Sequence, residues 1–142
     1  MPFLTNATAT AALNAVLNAI DAGTTDPAGQ IVFYAGTVPA DADAALSGNT
    51  VLAEVDLQAD SFGAPTDAAP GAQATMNGLP LFDLSINATG TVTFARIFDR
   101  DNGTVMQLTV GTSGTDIIVN STAFQVNAAF TIIAFTLTMP ES

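Results

Sequence analysis

Residues 90–120 constrain the fold more than any other stretch of the chain. Val92, Phe94, Arg96 and Phe98 alternate with Thr91, Thr93, Ala95 and Ile97. Met106, Leu108 and Val110 alternate in the same way with Val105, Gln107 and Thr109. A period of two in β-branched and aromatic residues is the pattern of a strand with two unlike faces. Between the two runs lies Asp99-Arg100-Asp101-Asn102-Gly103, and Asn-Gly tolerates the positive φ angles of a tight hairpin. Gly111 to Gly114 turns the chain again, and Asp116 to Asn120 forms a third run. The spacing predicts an antiparallel meander at the centre of a sheet.

The flanking sequence extends this pattern. Ile31–Ala35 is a short apolar strand, and Val51, Ala53, Val55 and Leu57 alternate with Leu52, Glu54, Asp56 and Gln58. Phe82, Leu84 and Ile86 form another run, Phe124 and Val126 a shorter one. In the last strand, Thr131 to Met139, the alternation puts Ile133, Phe135, Leu137 and Met139 on one face, and Pro140 ends it. Residues 36–49 and 59–78 are rich in Gly, Pro and Asp; the second, with Pro65 and Pro70, is longer than a hairpin needs and suits a contact loop. Roughly seven to nine strands, with turn signals every 8 to 12 residues or so, predict a mainly β fold of antiparallel sandwich or jelly-roll type.

One helix precedes the strands. Thr5 or Asn6 is placed to cap it, Ala9, Ala12, Leu13, Val16, Leu17 and Ile20 follow helical spacing, and Gly23 stops it. The expected organisation is therefore an N-terminal helix over 1–23, an accessory or docking element, and one β-sandwich domain over 24–142. The apolar stripe fits either of two places, one end of the β domain or a neighbouring subunit.

Composition narrows the chemistry. The chain has 142 residues, thirteen carboxylates, two arginines (Arg96 and Arg100), and no lysine, histidine or cysteine. A net charge of -11 repels phosphate, so neither nucleic acid nor an anionic membrane is an expected partner. The acidic surface either keeps the protein soluble or meets a basic partner or divalent cations. No cysteine means no disulfide and no thiolate, and a serine here has no imidazole to activate it. No basic residue precedes Arg96, so an export leader lacks its charged start, and the Asn-x-Ser/Thr triplets at Asn6, Asn87, Asn102 and Asn120 are read as chance. No catalytic residue, cofactor or metal is expected.

Several residues still merit individual attention. Glu54 and Asp56 share a strand face, the pattern of a solvated edge more than of an acid–base pair. Asp99, Asp101 and Asn102, followed by Gly103, offer hard oxygen ligands, as do Asp41 and Asp43. The spacing fails the calcium-loop pattern, so the expectation is a hairpin turn. Arg96 shares the parity of Val92, Phe94 and Phe98, taken as the inner face. A buried arginine needs a partner, and Asp116 and Asp83 are the expected carboxylates of a structural ion pair. An intersubunit bridge is the alternative.

The chain resembles small virion proteins of tailed bacteriophages. The resemblance rests on Phe33-Tyr34-Ala35-Gly36-Thr37-Val38-Pro39, Leu46 to Ala53, Gly90 to Ile97, Val110 to Ile118, the helix end at Ile20 to Gly23, and the Thr-rich last strand closing at Pro140. It runs over most of the chain, and its motifs are turn and strand patterns. It implies a non-enzymatic β-sandwich component, best placed as a capsid decoration (cement) protein on the outer capsid surface. Such a protein is made in the host cytoplasm, forms homo-oligomers (trimers above all), and bridges major capsid subunits. A tail, baseplate or head–tail connector component is the alternative. A carbohydrate-binding sandwich would want exposed aromatics, and an enzyme would want a nucleophile and a base.

Overall fold

A computed structural model describes residues 3–69 and 71–141. In chain order the elements are α1 (Asn6–Ile20), β1 (Gln30–Ala35), β2 (Thr50–Asp56), β3 (Gly71–Thr75), β4 (Leu81–Asp83) and β5 (Gly90–Thr91). They continue with β6 (Phe94–Phe98), β7 (Thr104–Leu108), β8 (Val110–Gly111), β9 (Ile117–Val119), β10 (Ala123–Phe124) and β11 (Phe130–Pro140). The fold is mainly β with a single helix among the described residues. The first sheet is antiparallel, in the order β2-β1-β6-β7. The second runs β3-β11-β9-β8, with β4 also paired to β11, and β5 and β10 form a small separate pair.

The β6–β7 hairpin forms around the Asn-Gly turn, but the expected meander does not continue from it. β7 is the edge of the first sheet, and the next strands cross to the second, where β8 lies parallel to β9. The chain therefore crosses between the sheets at Thr109, and the turn at Gly111 to Gly114 joins β8 to β9 within the second. Asp116 sets this local corner: its Oδ2 accepts from the Thr109 amide and hydroxyl, both at 2.9 Å.

Both sheets and the helix contribute to one core. Phe33 from β1, Phe124 from β10 and Phe130 from β11 form an aromatic cluster with ring centroids 4.5 to 5.9 Å apart. Such pairs add about 0.5–1.5 kcal/mol each beyond the area they bury. At the other end Phe62 meets Phe135 edge-on at 5.3 Å. Ala9, Leu13, Leu17 and Ile20 carry the apolar stripe of α1 into the same cluster, with Ala12 and Val16 half-buried at its margin, so the helix packs on its own chain against β3, β11 and β7. Thr5 caps it by accepting from the Thr8 amide, and Asp21 at its other end accepts from the Ser61 amide.

Bulges decide which face several side chains occupy. The β11 register slips between Ile132 and Ala134, so Phe130 and Ile132 point inward before the slip and Phe135 after it. Ile133, expected on one face with Phe135, is 52% exposed while Phe135 is buried. A slip between Phe33 and Tyr34 similarly turns Leu52 into the core, while Val51 packs on the opposite face. One extra residue inverts every side chain beyond it.

Two segments differ further from the sequence pattern. The expected run through Phe82, Leu84 and Ile86 is only the three-residue β4, with Phe82 57% and Leu84 76% exposed. The 59–78 connection contains β3, made of Gly, Ala, Gln and Thr, which pairs with the last strand. Gly71 there runs so close to the Met139 carbonyl that a Cβ would collide with it. Pro70 lies outside the described residues.

Candidate functional site

The outward face of the first sheet holds Arg96. Its row across the sheet is Glu54, Val32, Arg96 and Gln107, each paired with the next in register. Val32, Tyr34 and Phe94 make a second, smaller apolar cluster on that face, with Tyr34 stacked on Phe94 at 5.1 Å. Arg96 thus faces away from the main core, and it is buried because the 36–49 loop folds over it. β6 is covered on both sides, with Phe94, Ala95, Arg96 and Ile97 all buried, so parity there could not name the inner face.

The expected ion pair is not the one that forms. Asp83 and Asp116 belong to the second sheet and its corner, across the core from the Arg96 side chain. Asp83 Oδ1 accepts from the Ser85 amide at 2.8 Å, and Asp116 is taken by Thr109. Arg96 Nη2 instead donates to the carbonyl oxygens of Ala44 (2.7 Å) and Asp41 (3.1 Å), and its Nε to Gln107 Oε1. The Asp41 carboxylate closes the loop tip by accepting from the Asp43 and Ala44 amides. Its Oδ1 therefore faces the backbone of its own loop. Gln107 is the missed partner; the register shift between Ile97 and Phe98 sets it opposite Arg96, so counting back from the turn does not reach it.

Asp99, Asp101, Asn102 and Gly103 lie together in the turn between β6 and β7. Asp99 Oδ1 accepts from the amides of Asp101 and Gly103, while Asn102 takes φ +65°. Asp101 points the other way. Its Oδ1 accepts from the Thr24 amide, the Thr25 amide and the Thr25 hydroxyl at 2.8 to 3.0 Å. These bonds, the Thr24 amide foremost, hold the Asp101 carboxyl below the usual range. Gly23, at φ +104°, lets the chain leave the helix against Asp101, where a side chain would collide. The turn thereby ties the helix exit to the first sheet.

Beside this turn a cleft of about 490 Å³ is lined by Asp26, Asp56, Asp99, Gln30 and Asn102, among others. Its carboxylates already have neutral partners: Gln30 donates to Asp56, and Asn102 to Asp26. Among the described residues no group of three or more His, Cys, Asp or Glu side chains is placed to hold a metal ion.

The second sheet offers a different surface. Its outward face carries Phe82, Ile133 and Ala134, then Thr75, Thr136 and Thr138 towards the far end. Among the described residues, Asp83 is the one charged residue in its five strands. Of the exposed large apolar side chains, Phe82 and Ile133 lie on this face, whereas Val38 and Leu46 lie in the 36–49 loop with Asp41 and Asp43. The sequence pattern did not mark this face, because it read Phe82 into a longer strand with Leu84 and Ile86 and set Ile133 on one face with Phe135. No family model, curated protein or solved structure matches the chain.

Proposed function

We propose that the chain is a virion structural protein of a tailed bacteriophage: a capsid decoration (cement) protein with a β-sandwich body that bridges and stabilises major capsid subunits from the outside. The observation that carries this reading is the uncharged, partly apolar outward face of the second sheet, on a chain with a net charge of -11. Exposed apolar groups gathered on a regular face are the mark of a protein contact surface. The Asp41 and Asp99 carboxylates accept from amides of their own turns, and that of Asp101 from Thr24 and Thr25. The likeness of the strand and turn motifs to phage virion proteins points the same way. Many modest contacts repeated over a shell add up through multivalency.

The test is addition of the purified chain to heads stripped of it. The reading predicts saturable binding and survival of a heat or osmotic challenge that bursts the stripped heads. Heads that neither bind the chain nor gain resistance would remove the cement role.

A further inference from the structure

Gln30 and Asn102 each line two hollows beside the first sheet. One is the acidic cleft of about 490 Å³, and the other is a recess of about 190 Å³ whose wall also holds Tyr34, Glu54, Val51 and Phe98. The two hollows meet at these carboxamides. Gln30 sits at the junction because β1 pairs it with Asp56 of β2 on one side and with Phe98 of β6 on the other.

Tyr34 is the group there that the fold does not satisfy. It is 4% exposed, with its ring stacked on Phe94. Among the described residues its hydroxyl has no hydrogen-bond partner: burial and the charges of Arg96 and Glu54 set its titration, and no hydrogen bond does. The unpaired polar atoms sealed from solvent are Ser61 Oγ, Arg100 Nε and Glu141 Oε1. The Tyr34 hydroxyl is not one of them, so part of the little surface that Tyr34 keeps belongs to it, and the recess is the hollow that Tyr34 lines. A buried hydroxyl without a partner is costly, and a ligand atom bonded to it removes that cost.

Charge and spacing select the ligand. Asp26, Asp56 and Asp99 line the cleft and Glu54 the recess, and no basic side chain lines either. Among the described residues no three acidic side chains are grouped to hold a metal ion, so these carboxylates are too dispersed to share one. Two of them are held only by long bonds, Asp56 from Gln30 at 3.2 Å and Asp26 from Asn102 at 3.4 Å. Apolar wall from Pro27, Val51 and Phe98 lies between them. An anion is repelled here, and a neutral sugar leaves the carboxylates uncompensated. Ammonium groups on an alkyl chain fit both features: the chain rests on carbon, and the N–H groups donate to carboxylate and hydroxyl oxygens.

We propose that the joined cleft and recess bind an alkyl ammonium, with Glu54 and the Tyr34 hydroxyl accepting from one ammonium and the chain laid along Phe98 towards Asp56 and Asp26. A free aliphatic diamine and the lysine side chain of a protein partner share this chemistry. The site belongs to the first sheet and is independent of the contact face on the second.

Titration of the purified chain at constant ionic strength tests it, with cadaverine (a five-carbon diamine) and with the capped peptide Gly-Lys-Gly as probes. Calorimetry reads the affinity. Tyrosine emission reads the place, because Tyr34 is the one Tyr in a chain without Trp. One saturable site is expected, with a change in Tyr34 emission and no binding of pentanediol, which lacks the charge. Tyr34→Phe keeps the stacked ring and removes the hydroxyl, and Glu54→Gln removes the carboxylate; each is expected to weaken binding about tenfold. Asp43→Asn removes the same charge from the 36–49 loop, outside both hollows, and is expected to change nothing. Tighter binding of cadaverine assigns the site to a free amine, and tighter binding of the peptide assigns it to a partner's lysine. No saturation by either probe up to about 10 mM overturns the inference. So does full affinity in Tyr34→Phe, or equal weakening by Glu54→Gln and Asp43→Asn, which would mark a diffuse attraction to an acidic surface.

Discussion

Arg96 Nε donates to Gln107 Oε1 at 3.1 Å, and both side chains then reach the same surface loop. Arg96 holds the carbonyls of Asp41 and Ala44, and Gln107 Nε2 holds that of Pro39 at 2.9 Å. The pair works as a clamp from β6 and β7 on the 36–49 loop. Arg96→Met keeps the length and removes every donor. It is expected to lower the unfolding free energy by about 2–4 kcal/mol, because buried acceptors lose a charged partner. Urea denaturation of this variant, of Gln107→Leu and of the double variant measures the coupling. The clamp predicts more than about 0.5 kcal/mol of it, and additive losses would contradict the clamp.

Tyr34 reports on the same face by an independent route. Burial pushes its hydroxyl above the usual tyrosine value; the Arg96 charge pulls it back, and Glu54 pushes it up further. The chain has one Tyr and no Trp, so absorbance titration follows this group alone. A raised folded pKa means a stabilising contribution present below the unfolded value and lost as pH rises through the folded one. Tyr34 should ionise only at strongly alkaline pH, higher still in Arg96→Met and lower in Glu54→Gln. Shifts in the reverse directions would show that these charges do not face the ring.

Asp101 gives the acid limb. Its folded pKa is depressed by the Thr24 amide, then by the Thr25 hydroxyl and amide, so its contribution is present above the unfolded value and fades as pH falls through the folded one. Asp101→Asn is expected to melt below the wild type near neutral pH, with the gap closing in acid. Thermal melts across the acid range check this. A gap that stays constant with pH would assign the effect to packing alone.

Leu13, 2% exposed, tests whether the helix is part of the domain. Leu13→Ala should cost about 2–5 kcal/mol, in one cooperative transition shared with the sheets. A separate early transition of the helix would mark it as an appendage.

The strands were legible where a half-buried surface imposes alternation, as from Ala53 to Asp56 in β2. Alternation cannot count bulges, and one bulge at Ile132 to Ala134 placed Ile133 on the wrong side. Nor does it name the inner face of a strand buried on both, which is why Arg96 was turned towards the core. β3 was hidden because Gly71, Ala72, Gln73 and Ala74 carry little strand preference and are held by their pairing with β11. The partners of Arg96 were unreadable for a related reason: two are backbone carbonyls of a loop more than 50 residues away in sequence, which no side-chain pattern encodes.

Copy number and position on the purified particle test the central proposal most directly, by quantitative mass spectrometry followed by electron cryo-microscopy of the head. The account predicts on the order of hundreds of copies, ordered about the symmetry axes of the capsid exterior. A few copies confined to the tail, or none on the particle, would contradict it.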